Sequence, residues 1–202
     1  MKAFIDISSD KIAISTPDGT VFLDRNWVEN EIGKSLIELD KKYSFDEYIV
    51  LNGPGWFTNL RVGTLALNLL KTLKNDQIKF YSISKPLLYS YFHKNWWIPR
   101  YWILYIWQKS NVWVRDIANN ELVKMIKKSE IDSVWNEYWE VFLDQVYDEN
   151  YFWEYDNKLH YIYNNWNIFL TFKWEYHINL DSLNLDEVEK LEANYMIEPN
   201  VS

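Results

Sequence analysis

Three places in the chain carry residue types able to do chemistry. The first is Asn52-Gly53-Pro54-Gly55-Trp56-Phe57-Thr58-Asn59-Leu60-Arg61-Val62-Gly63. The β-branched and aromatic run Tyr48-Ile49-Val50-Leu51 precedes it, and good helix formers fill residues 58–74. Residues 53–55 are therefore a strand-to-helix turn. Its two glycines permit backbone angles closed to other residues, Pro54 fixes a φ between them, and Thr58 or Asn59 caps the helix. Such a turn can cradle phosphate on the N–H groups of a helix start. It can equally be a tight turn built for packing, since neither a Gly-Lys-Ser/Thr ending nor GxGxxG accompanies it.

The second place is Asp6-Ile7-Ser8-Ser9-Asp10, at the end of a first strand. No histidine neighbours the serines in sequence, so nucleophilic catalysis has no support there. The third is the acidic run Asp144, Asp148, Glu149, Glu154 and Asp156, interleaved with Tyr147, Tyr151, Phe152, Trp153 and Tyr155. Paired carboxylates can run acid–base chemistry, although a solvated acidic face is the commoner explanation. Without basic residues the aromatics make no nucleic-acid stacking platform. His93, His160 and His177 are scattered and lack HxxxH or HExxH spacing.

The elements that must position these residues follow from periodicity. Residues 2–7, 11–15 and 20–23 read as strands, with a turn at Pro17-Asp18-Gly19. Residues 29–42 form an amphipathic helix through Ile32, Leu36 and Leu39. In the helix after the glycine turn, Val62, Leu65, Ala66, Leu69, Leu70 and Leu73 make one apolar face. Leu60, Gly63 and Leu67 continue apolar surface around it, so this helix must be buried on more than one side. Residues 79–83 form a strand, and Ser84 caps a helix that carries Pro86 in its first turn and runs to about Phe92.

Asn95-Trp96-Trp97-Ile98-Pro99 reads as a linker, dividing residues 1–95 from a β-rich part, residues 96–202. There, residues 101–106 and 112–116 make a hairpin around residues 108–111. Residues 122–126, 139–143, 158–163 and 168–172 are further strands, and residues 186–191 a short acidic helix or turn.

Composition sets the outer bounds. The 202 residues suffice for a sizeable core, and a net charge of −8 argues against binding nucleic acid unaided. No cysteine is present, which excludes disulfides and thiolate metal sites and is compatible with the cytosol. Neither a signal peptide nor an apolar run of membrane-spanning length is visible, so a cytoplasmic protein without membrane contact is expected. The chain has 12 Trp against 5 Gly, and several Trp stand where turns want glycine: Asn26-Trp27, Asn95-Trp96-Trp97 and Asn165-Trp166-Asn167. One reading is that some are UGA codons translated as glycine, and the other is an aromatic-rich protein.

The first stretch resembles the Gly-Pro-Gly-Ser-Phe-Thr-Gly-Leu-Arg-(Val/Ile)-Gly signature of the TsaB (YeaZ) family. Nine of eleven positions from Gly53 agree; Trp56 replaces the serine and Asn59 the third glycine. Phe4-Ile5-Asp6-Ile7-Ser8-Ser9 is similar to the family's Ile-Asp-Thr-Ser opening. The resemblance covers about residues 1–92. It implies a two-lobed α/β protein of the actin-like ATPase (ribonuclease H-like, ASKHA) fold with mixed sheets.

In sugar kinases and actin-like ATPases of that fold, the opening hairpin holds phosphate and metal and usually includes glycine. Here Ser8-Ser9-Asp10 has none, and Asp10 would repel a nucleotide. Asp6 then reads as a satisfied strand-end carboxylate. By the resemblance the chain is a non-catalytic subunit that pairs with a TsaD-like catalytic subunit and a TsaE-like ATPase to make N6-threonylcarbamoyladenosine in tRNA. It would bind no cofactor itself, with ATP and metal on the partners and tRNA reached only through the complex. The residues implied at the partner surface are Gly53, Pro54, Gly55, Phe57, Thr58, Leu60, Arg61, Gly63, Thr64 and Leu67. Leu60, Gly63, Thr64 and Leu67 would be exposed in the isolated chain and meet a partner helix. The alternatives are an active ATP-dependent kinase or hydrolase of the same fold, and a homodimer through the same helix face.

Overall fold

A computed structural model describes residues 1–24, 26–96, 98–105, 111–138, 141–144, 160–164, 167–172 and 174–195. The chain opens with a meander, β1 (Lys2–Asp6), β2 (Lys11–Thr16) and β3 (Gly19–Asp24), followed by α1 (Val28–Tyr43). Then come β4 (Glu47–Leu51), α2 (Phe57–Leu73), β5 (Lys79–Ile83) and α3 (Lys85–Trp96). The second half holds β6 (Tyr101–Tyr105), β7 (Asn111–Asp116), β8 (Glu121–Lys127), α4 (Ile131–Glu137) and β9 (Val141–Leu143). It continues with β10 (His160–Asn164), β11 (Asn167–Phe172), β12 (Trp174–Asn179) and β13 (Glu187–Val188). Short 3₁₀ turns stand at Lys128–Glu130 and Leu180–Ser182.

The strands form three sheets, ordered β13-β5-β4-β1-β2-β3, β8-β7-β6-β9 and β10-β11-β12. The first is mixed: β4 runs parallel to β1 and β5, while β2, β3 and β13 are antiparallel to their neighbours. The second is mixed as well, with β9 parallel to β6. The fold is mixed α/β with mixed sheets.

Alternation along the central strands decides the layers, because successive side chains point to opposite faces. Ala3 and Ile5 of β1 and Tyr48 and Val50 of β4 join Val28, Ile32, Leu36, Leu60, Leu67 and Leu70 of α1 and α2 in one core. Phe4, Ile49 and Leu51 point the other way, into a core with Leu88, Tyr89 and Phe92 of α3, Trp102, Trp113 and Phe142. Ile103, Val112, Val114 and Leu143 face outward from that second sheet onto Ile131 and Val134 of α4. The strands closest to the centre are thus buried on both faces, which is why Ala3-Phe4-Ile5 and Tyr48-Ile49-Val50-Leu51 are continuous apolar runs.

Five expectations change. The linker placed at residues 95–99 is helical as far as Trp96, and Trp97 lies outside the described residues. Residues 186–191 hold a two-residue strand on β5 where a helix or turn was expected. α4 and β12 had no counterpart in the sequence reading. Neither Thr58 nor Asn59 caps α2, whose N-cap is Trp56 in extended backbone. The described tryptophans give the recoding idea no conformational support, since the positive-φ non-glycine residues are Ser44, Asn75, Asp76 and Asn120. Of the expected hairpin, residue 106 and residues 108–110 of the turn placed at 108–111 lie outside the described residues, as does the acidic run beyond Asp144.

Candidate functional site

The Gly-Pro-Gly turn and the β1–β2 hairpin lock together at the edge of the parallel strands. Gly55 lies so close to Ser8 that an added Cβ would overlap the Ser8 carbonyl oxygen. That carbonyl also accepts the Trp56 N–H at 2.9 Å. Asn59, which stands at the signature's third glycine, reaches from α2 into the hairpin and donates through Nδ2 to the carbonyls of Ser9 (2.7 Å) and Asp10 (3.1 Å). Gly53 has φ +129°, and an added Cβ there would overlap the Asn194 carbonyl oxygen. Glycine is required at 53 by its φ and by contact, and at 55 by contact alone. The Gly53–Pro54 bond is cis.

The main-chain and hydroxyl donors of Ser8 and Ser9 are spent on Asp6. Asp6 Oδ1 accepts the N–H groups of Ser8 (2.7 Å) and Ser9 (3.2 Å) and the Ser8 hydroxyl (2.6 Å), and Oδ2 accepts the Ser9 hydroxyl (2.6 Å). Asp6, Ser8 and Ser9 are all fully buried. The Asp6 side chain therefore already takes up the Ser8 and Ser9 amides. This is the satisfied strand-end carboxylate expected from the sequence.

Nearby lies a buried charge cluster that joins Lys85, which the sequence did not single out, to Asp144, which the acidic-run reading placed on a solvated face and the structure buries. Lys85, the first residue of α3, donates through Nζ to Asp144 Oδ2 at 2.7 Å, and the Tyr89 hydroxyl donates to Asp144 Oδ1 at 2.7 Å. The Lys85 and Asp144 side chains are 1% and 0% exposed. Burial pushes the Asp144 carboxyl up from its ordinary range and Asp6 adds to this, while Lys85 and Tyr89 pull it down. Ser84 caps α3 as its place in the sequence predicts, with Leu87 N–H donating to Ser84 Oγ at 3.3 Å.

The expected partner surface divides in two. Leu60, Gly63 and Leu67 are buried in the chain's own core. A Cβ at Gly63 would lie 2.6 Å from Ile7 Cγ2, so the small residue admits Ile7, not a partner helix. Their expected exposure in the isolated chain is overturned, because α2 turns this arc toward the sheet. Gly53, Pro54 and Gly55 are buried too, and Thr64 is half-buried. Thr58 and Arg61 are exposed, and Phe57 packs against Tyr195 with ring centres 5.2 Å apart.

The arc that does reach solvent belongs to the other apolar face of α2. Leu65, Leu69 and Leu73 are 70%, 56% and 62% exposed. With Val62, Ala66, Gly33, Leu36 and the exposed Ile37 they line an apolar groove of about 220 Å³ between α1 and α2. Periodicity located both arcs; nothing in it says which one meets the sheet.

Among solved structures, the chain is similar to YeaZ from Pseudomonas aeruginosa, at 13% identity and a TM-score of 0.41, over 62% of this chain and 66% of that one. It is also similar to an uncharacterised protein described as resembling peptidase YeaZ from Pseudomonas aeruginosa, at 13% identity and a TM-score of 0.39, over 62% and 65%. The chain spans just under two thirds of the length of each. No family model matches the sequence, and no curated protein matches it. Among the described residues no helix is long and apolar enough to cross a membrane, and no group of three or more His, Cys, Asp or Glu is placed to hold a metal.

Proposed function

We propose that the chain is a non-catalytic subunit of TsaB (YeaZ) type, with an actin-like, two-lobed fold. It pairs with a TsaD-like catalytic subunit and a TsaE-like ATPase in the cytoplasm to make N6-threonylcarbamoyladenosine in tRNA. The observation that carries this reading is the α1–α2 groove. Leu65, Leu69, Leu73 and Ile37 are large apolar side chains gathered on one exposed face. Apolar, charge-poor patches of this kind mark surfaces that another protein covers. The partner contact therefore moves from Leu60, Gly63 and Leu67 to the neighbouring arc of the same helix.

The hairpin supports the non-catalytic half of the reading, because Asp6 already occupies the Ser8 and Ser9 amides. ATP and metal belong to the partner subunits. With a net charge of −8, the chain reaches tRNA through the complex. Size-exclusion chromatography with the TsaD-like subunit tests the reading. The wild-type chain should co-elute with it, and Leu69→Asp, folded by circular dichroism, should elute alone. A folded Leu69→Asp that still co-elutes contradicts the assignment. Self-association of the wild type that Leu69→Asp abolishes would instead make the face a homodimer contact.

A further inference from the structure

Residues 187–195 return across the six-stranded sheet beside α2, and the track that holds them reads main chain. Glu187 and Val188 pair with Tyr81 and Phe80 of β5. Lys71 Nζ donates to the Glu189 carbonyl at 2.7 Å. Asn68 meets Leu191 twice: Nδ2 donates to its carbonyl at 2.9 Å, and Oδ1 accepts its N–H at 3.0 Å. Asn52 Nδ2 donates to the Glu192 carbonyl at 3.0 Å, and the Asn194 N–H donates to the Asn52 carbonyl at 3.1 Å. A side-chain amide that satisfies both main-chain groups of one residue does the work of a neighbouring strand and ignores that residue's side chain.

The segment itself buries little. Leu191 is 1% exposed and shares the apolar core of Leu60 and Leu67, while Val188, Ala193 and Tyr195 are half-buried. Glu189, Lys190 and Glu192 point to solvent. Clefts of about 580 and 480 Å³ adjoin the segment, one lined by Asn68, Lys71 and Glu189, the other by Asn52, Glu192 and Asn194. At the far end Gly53 leaves room for the Asn194 carbonyl.

We propose that Asn52, Asn68 and Lys71 line a peptide-binding groove for an extended main chain carrying one buried apolar residue. Residues 187–195 fill it in cis, and it takes the same segment in trans. Proline is excluded where the N–H groups of Leu191 and Asn194 are used. The wild-type groove is closed to outside peptide at micromolar concentration, since a tethered segment competes at an effective concentration of about millimolar.

The test uses the full-length chain and a fluorescein-labelled peptide with the sequence of residues 185–195. Leu191→Asp places a charge in an apolar site and releases the chain's own segment. This variant should bind the peptide at least about tenfold more tightly than the wild type does. Adding Asn68→Ala should weaken that binding roughly tenfold, through loss of two hydrogen bonds. A peptide with serine at 189, 190 and 192 should bind within about threefold, and a Leu191→Pro peptide should not bind.

A folded Leu191→Asp chain that ignores the peptide, or binding indifferent to Asn68→Ala, overturns the proposal. So does unfolding of Leu191→Asp, because the segment would then be inseparable from the core. In the wild type, the Leu191 and Asn194 amides should exchange together and faster than those of Val50 and Phe80. Exchange at one common rate for all four contradicts a separable segment.

Discussion

Lys85→Met isolates the energetics of the buried charge cluster. Lys85 and Asp144 are both withdrawn from solvent and 2.7 Å apart, with Tyr89 as the second donor to the carboxylate. Methionine matches the lysine stem in length, so packing is largely kept and the lost charge dominates. Removing one partner of a buried pair leaves an uncompensated charge, at about 3–5 kcal/mol. For a chain of this size that lowers Tm by roughly 6–20 °C. The double variant Lys85→Met/Asp144→Asn removes both charges, keeps an oxygen for the Tyr89 hydroxyl, and should recover about half the loss.

The pH dependence fixes the sign. Without Lys85 the Asp144 carboxyl, already pushed up by burial, rises further. An acid whose folded-state value is raised contributes stability at low pH, and that contribution fades as pH rises through the folded value. The deficit of Lys85→Met should therefore shrink as pH falls from neutrality. Urea and thermal melts followed by circular dichroism read both effects. A Lys85→Met variant within about 1 kcal/mol of wild type refutes the reasoning, as does a double variant no more stable than Lys85→Met alone. Lys42→Met, at an exposed pair with Asp18, is the control and should change little.

Three further outcomes are expected. Gly55→Ala should destabilise by about 3 kcal/mol, at the upper end of overpacking costs, because its methyl meets the Ser8 carbonyl rather than a yielding side chain; a thermal melt checks this. Gly63→Arg should unfold the chain, since the position faces Ile7, and a native circular dichroism spectrum would show that α2 does not pack there. The Arg100 guanidinium holds the Asp116 carboxyl below its usual range, against a smaller opposing effect of burial. Its stabilisation is present above about pH 3.9 and lost as pH falls through the lower folded value, so Arg100→Gln should lower Tm near neutrality and flatten the acid limb of a pH titration of Tm, its deficit shrinking as pH falls.

Much of the first half was legible because local pattern decides it. β1, β2, β4 and β5 are short runs apolar on both faces, and α1 carries one apolar stripe with Ile32 and Leu36 at its centre. α2 was harder, since leucines surround most of its circumference and periodicity alone cannot orient it. Gly63 did mark a close approach, but the approaching group is Ile7 of the same chain. β12 escaped notice although Tyr176 and Ile178 alternate with His177 and Asn179. α4 is seven residues long with Ile131 and Val134 as its buried positions, too short for a helical period to register.

The long-range features left no local trace. Lys85 opens a helix in a way any solvent-facing lysine would, and its partner is 59 residues away. Asn68 and Lys71 look like an ordinary polar stripe, while their bonds go to main-chain atoms more than a hundred residues on.

The partner face is tested most directly by hydrogen–deuterium exchange of the chain alone and in complex with the TsaD-like subunit. The account predicts that complex formation adds protection to peptides spanning residues 33–37 and 62–73, around Ile37, Leu65, Leu69 and Leu73. The second-half sheets should be unchanged. Protection that leaves α1 and α2 unaltered would contradict it, as would failure of the two proteins to associate.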